Sequence, residues 1–161
     1  MKELITIKSK GEGYTATVWD LEDGSYEYTG DMDNDVDGSE FWHKDPYGQA
    51  DTTLQFNGRP IDAGRVAGIV LPPPVIKAVG PIVLGCRATA TWRGNTVEGV
   101  VFDVGPRTKL GEGSYAMLKK LGAPAYENGN GGIDEAEVVY RFWPGVPAVV
   151  DGVTYVLQSY K

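Results

Sequence analysis

The sequence predicts a single, mostly β domain, and three observations carry that expectation. The chain has 161 residues, the length of one domain. Glycine and proline, at 22 and 10 residues, are spread along the whole chain and interrupt helices throughout. Valine, threonine and tyrosine fall in short runs bounded by turn formers, as strands require. No linker, fixed-period repeat or compositional boundary divides the chain, so residues 1–161 read as one unit.

Residues 3–8 and 14–20 alternate well enough to form two strands around Gly11–Gly13. Residues 26–30 suit a further short strand. Residues 31–53 are polar and rich in turn formers, and they read as a long ordered loop. Residues 66–71 form an apolar strand stopped by Pro72, Pro73 and Pro74. Residues 82–92 and 96–104 make a hairpin about Arg93-Gly94-Asn95. One helix is expected: Ser114 caps it, residues 115–121 form it, Gly122 ends it and Pro124 follows. Residues 136–143, 148–150 and 153–159 close the chain as strands, with Asp151-Gly152 a two-residue hairpin signal.

A net charge of −7 argues against nucleic acid and anionic membranes as partners. It is compatible with a cationic ligand. No apolar run approaches the ~18–20 residues of a spanning helix. Met1 to Lys10 lacks the apolar stretch of a secretory signal. Cys86 is the single cysteine, which forbids an intramolecular disulfide, and its apolar setting suits a packed thiol better than a nucleophile.

The chemistry concentrates in residues 97–122. An apolar strand ends in Asp103, a Gly-Pro turn follows, and Gly111-Glu112-Gly113-Ser114 stands at the mouth of the helix. Burial beside Val100, Val101 and Phe102 would favour a protonated Asp103. A helix N-terminus would favour an ionised Glu112. Two carboxylates in contrasting settings are what acid/base cleavage of a glycosidic bond requires. A plainer reading has Asp103 starting a turn and Glu112 complementing the helix, and spacing alone favours it.

This segment resembles the catalytic segment of family 75 glycoside hydrolases, the fungal-type chitosanases. Two further stretches resemble that family in the same order. Residues 31–38 match its aspartate-rich segment, followed by Asp45-Pro46, Gln49 and Thr52-Thr53. Ile61-Asp62-Ala63, Val66 and Val70-Leu71-Pro72 match a strand ending in proline. The resemblance spans about residues 25–122. Gly113 departs from it, because the family has a small residue such as alanine there, and a looser helix start is expected. The segment is more distantly similar to expansins and rare lipoprotein A, which are double-psi β-barrels. The resemblance therefore implies a six-stranded double-psi β-barrel-like domain with one short helix and long loops. It also implies an endo-acting chitosanase that inverts configuration, with Glu112 as general acid and Asp103 as general base, no cofactor, and a monomer acting outside the cell.

Asp33, Asp35 and Asp37 imitate the start of an EF-hand loop, but Lys44 occupies the twelfth position, where a glutamate is needed. No metal is therefore expected, although a looser calcium site stays open. The resemblance instead makes these aspartates a wall for cationic glucosamine units. Trp42 and Tyr47, in the same polar stretch, are the aromatic candidates for sugar contact. His43 is the single histidine and suits a structural role. Arg107 and Lys109 either tune the two acids or repel a cationic substrate. The loop at Gly129-x-Gly131-Gly132 suits a mobile loop, with a lid as one option. Two competing functions remain: a peptidoglycan-lytic enzyme, and a non-catalytic carbohydrate-binding or wall-loosening barrel.

Overall fold

The computed structural model describes residues 1–9, 13–106 and 108–160. Arg107 and part of the Gly11–Gly13 turn lie outside the described residues. In chain order the strands are β1 (Lys2–Lys8), β2 (Thr15–Asp20), β3 (Tyr26–Asp35), β4 (Gln55–Phe56), β5 (Arg59–Pro60) and β6 (Gly68–Leu71). Helix α1 (Pro73–Val79) comes next, then β7 (Ile82–Leu84), β8 (Cys86–Trp92), β9 (Asn95–Val104) and β10 (Glu112–Ser114). Helix α2 (Tyr115–Leu121) precedes β11 (Ile133–Pro147), β12 (Val149–Val150), β13 (Val153–Thr154) and β14 (Gln158–Ser159).

Six strands close into a barrel in the order β3-β10-β6-β9-β8-β11, and β11 returns to pair with β3. The pairs β3–β10 and β6–β9 are parallel, and the other four are antiparallel. A closed six-stranded barrel is what the resemblance implies. The β1–β2 hairpin extends the sheet outward from β3. Closure leaves no open edge among the six barrel strands. Inside, Phe102, Tyr28, Tyr140, Leu71 and Leu118 are fully buried, and the Tyr28 and Tyr140 rings stack at 4.7 Å. Cys86 belongs to this core, and burial pushes its thiol up to about 12, as a packed cysteine should behave.

Both hairpin turns read from the sequence form. Arg93-Gly94 and Asp151-Gly152 have positive φ at both central residues, the geometry of a tight two-residue turn, and Asn57-Gly58 makes a third. The Ser114 hydroxyl caps α2 by accepting from Met117 N at 3.0 Å. It also accepts from Gly68 N and donates to Val66 O, fastening the helix start to β6.

Four expectations need correction, one of them at the end of the chain, where residues 153–159 form two short strands, β13 paired with β12 and β14 paired with β7, instead of one. The strand starting at Tyr26 runs on to Asp35, so residues 31–35 are strand rather than loop. A second helix, α1, follows β6. The prolines stop β6 at Leu71 as expected, and Pro73 and Pro74 also begin α1, because the first N–H groups of a helix need no partner within it. The segment 82–92 is two strands with different partners, broken at Gly85, where φ is 85°. No described helix is long and apolar enough to cross a membrane.

Candidate active site

An open groove of about 1190 Å³ crosses the end of the barrel. Its floor comes from the ends of four adjacent strands. Glu112 on β10 lies opposite Asp33 on β3 and opposite Val70 on β6, and Val70 lies opposite Asp103 on β9. Residues paired across neighbouring strands point to the same face. Asp33, Glu112, Val70 and Asp103 thus form one row. Neighbouring strands are about 4.8 Å apart, which puts the backbones of Glu112 and Asp103 about 9.6 Å apart across β6. A bulge makes this alignment: the register between β6 and β9 shifts after Ile69–Val101, which carries Asp103 into line with Val70.

The two acids have contrasting surroundings. Glu112 sits on a strand that leads into α2, and burial pushes its carboxyl from an ordinary 4.5 up to about 7. The Lys109 ammonium opposes that rise, while the charges of Asp33, Asp103 and Asp37 add to it. The expectation that the helix end keeps Glu112 ionised is therefore corrected: desolvation outweighs the helix dipole. Its Oε2 is buried and accepts no hydrogen bond among the described residues. A Cβ added at Gly105 would stand 2.6 Å from that oxygen, so the Gly-Pro turn packs directly on the acid.

Asp103 is also buried, yet its Oδ1 accepts three hydrogen bonds: from Thr53 N at 3.0 Å, Thr53 Oγ1 at 2.7 Å and Val104 N at 3.0 Å. Asp35 and Asp37 stand beside it, with one carboxylate oxygen from each of the three within 4.8 Å of the others. Among the described residues this trio is the group that could hold a metal ion. Asp37 N donates to Asp35 Oδ1, and Gln49 N donates to Asp37 Oδ1, both at 2.8 Å. Burial raises Asp35 to about 8, with Glu112 and Asp103 adding to the effect. Burial and then the Asp35 charge raise Asp37 to about 8.

Asp33, Asp35, Asp37, Asp103, Glu112 and Tyr47 all line the groove. Tyr47 is 90% exposed there, so its ring is open to a ligand. Trp42 is not among the residues that line this groove: it lies in a 3-10 turn, exposed, with its ring edge-on to His43. Lys109 pairs with Asp33 at 2.6 Å, and its charge opposes the rise at Glu112. Residues 128–131 also line the groove. They belong to an anchored turn, because Asn34 Nδ2 donates to the carbonyls of Tyr126 and Asn130 at 2.9 Å. Thr53 and Asp45 are groove residues that function-based reasoning on the sequence passed over. Their presence among the matched motifs, as Asp45-Pro46 and Thr52-Thr53, was the available signal.

Fold and groove together define a closed six-stranded β-barrel with a carboxylate row across one end. No protein-family model matches the chain. No curated protein matches it either. Among solved structures it is similar to the Streptomyces papain inhibitor, at 20% identity and a TM-score of 0.45, over 72% of this chain and 93% of that one. A match at that level carries no inference about activity.

Proposed function

We propose that this protein is an endo-acting glycoside hydrolase that cleaves the β-1,4 linkages of chitosan with inversion of configuration. The observation that carries the reading is the row Glu112–Val70–Asp103, with two carboxylates one strand apart on one groove floor. Inverting enzymes hold their acids roughly 6.5–9.5 Å apart, leaving room for water, against about 5–5.5 Å in retaining enzymes. The backbone spacing accommodates the wider separation. In this mechanism Asp103 takes a proton from water as the water oxygen bonds to the anomeric carbon. The glycosidic C–O bond breaks on the other face, and Glu112 gives its proton to the leaving oxygen. Solvent then resets both groups. A carboxyl raised to about 7 is still substantially protonated near neutral pH, which suits Glu112 as the acid.

The choice of chitosan rests on charge. Seven acidic side chains line the groove, and Lys109 is the basic one among the described lining residues. A polycationic glucosamine chain would gain from that field. The test is reducing-end release from chitosan, chitin and peptidoglycan in parallel. Release from chitosan is expected. Release from peptidoglycan alone would favour a wall-lytic enzyme, and binding without release would favour a non-catalytic barrel.

A further inference from the structure

The segment carrying Thr53 is held on both sides. Thr52 and Leu54 are buried, Leu54 N donates to Phe102 O at 3.0 Å, and Thr52 Oγ1 joins Leu54 O and Ile61 N. Thr53 between them faces the open groove and has no packing duty. Its backbone N–H and its hydroxyl nonetheless both go to one atom, Oδ1 of Asp103, fifty residues away in the chain. Val104 N supplies a third donor to the same oxygen. An oxygen with three donors has little capacity left for another proton. The Asp37 side chain also hydrogen-bonds the Asp103 carboxylate, so the acceptor capacity left on the other oxygen, Oδ2, is shared between Asp37 and water entering the groove.

We infer that Thr53 is a positioning residue for Asp103: it saturates Oδ1, fixes the carboxylate's rotation and leaves Oδ2 to take the proton of the attacking water. The inference rests on the hydrolase reading above. It differs from a substrate contact in what it changes. A residue touching sugar equally in ground and transition states moves KM, whereas one that orients the base moves kcat. A hydrogen bond to a charged group gives the scale of the loss, about 10- to 100-fold in rate.

The experiment compares wild type with Thr53→Val, Thr53→Ala and Thr53→Ser on chitosan oligosaccharides, measuring kcat, KM and Tm. Val and Ala lose the hydroxyl donor, and Ser keeps it. The expected result is a kcat about 10- to 100-fold lower for Val and Ala, with KM nearly unchanged. Thr53→Ser should recover most of the rate and keep the wild-type Tm, while Val and Ala stay folded with the same small drop in Tm, because both remove one hydrogen bond from the buried Asp103 carboxylate. Full kcat in the Val and Ala variants overturns the inference, as does a rise in KM alone, or a Ser variant as slow as Val. Those outcomes leave the hydrolase reading intact. A wild-type protein that releases nothing from chitosan removes that reading, and this inference with it.

Discussion

At the scale of single residues, the proposed chemistry turns on how burial and charge divide between Glu112 and Asp103. Glu112 is raised because water is excluded from it, and nearby acids add to the cost of ionising it. Asp103 is equally enclosed but is supplied with donors. Removing either group should remove the chemistry: Glu112→Gln and Asp103→Asn are each expected to lower kcat by about 10²- to 10⁴-fold, the usual worth of general acid–base catalysis. The Tm of Glu112→Gln should stay level or rise, since a buried carboxyl without a partner becomes a neutral amide. The general acid works only while protonated, so kcat/KM should fall as pH rises through about 7. Stability should follow the same sign. Folded pKa values lie above ordinary ones, at about 7 against 4.5 for Glu112 and about 8 against 3.8 for Asp35 and Asp37. The folded chain therefore holds protons that the unfolded chain releases in that window, and unfolding is favoured as pH rises from about 4 to 8. A Tm series from pH 5 to 9 should slope downward, and Glu112→Gln should flatten part of it. A Tm that climbs across that range would contradict the burial of these acids.

At the scale of elements, β10 is the shortest strand of the barrel and the most constrained. Gly113 lies against Met32, and an added Cβ would stand 2.4 Å from its sulfur. Glycine here answers the local packing, and the helix start it was expected to loosen is firmly capped by Ser114. Gly113→Ala should destabilise by about 1–3 kcal/mol, the cost of overpacking, and a smaller residue at Met32 should recover part of that loss. The aspartate-rich end of β3 gives another test. Exhaustive chelation should leave Tm unchanged, because burial keeps Asp35 and Asp37 protonated and their cluster then needs no ion to offset its charge. A fall in Tm that calcium restores would identify a structural ion site. Strand β3 also shows what the sequence hides. Alternating Asp31, Asp33 and Asp35 have strand periodicity, but a strand lining a wet groove has the polarity of a loop. Helix α2 was legible because its cap, apolar spacing and terminal glycine agree. Helix α1 was not, because three prolines signal an ending and a beginning alike. The bulge that aligns Asp103 with Val70, and the reach of Thr53 to Asp103, leave no local sequence signal, since both depend on strands distant in the chain.

At the scale of the whole molecule, barrel closure converts separate sequence motifs into one groove. The aspartate-rich segment, the strand ending in proline and the Asp-to-Glu segment become β3, β6, β9 and β10, neighbours in space with their acids at one end. Their order was readable from the chain, and their adjacency came from topology. The groove's acidity is a property of the assembled molecule, and its attraction for a polycation should weaken as salt screens it over about 10 Å at 0.1 M. Chitosan hydrolysis at subsaturating substrate should fall with added salt, and cellulose should be cleaved little at any ionic strength. Equal rates on both polymers would remove the charge-based choice of substrate. The central claim is that Glu112 and Asp103 cleave by single displacement across β6. Time-resolved proton NMR of a chitosan oligosaccharide tests it most directly, by following the anomeric signals of the new reducing end before mutarotation. The α-anomer should accumulate first, opposite to the β-linkage that is broken, and initial accumulation of the β-anomer would contradict the account.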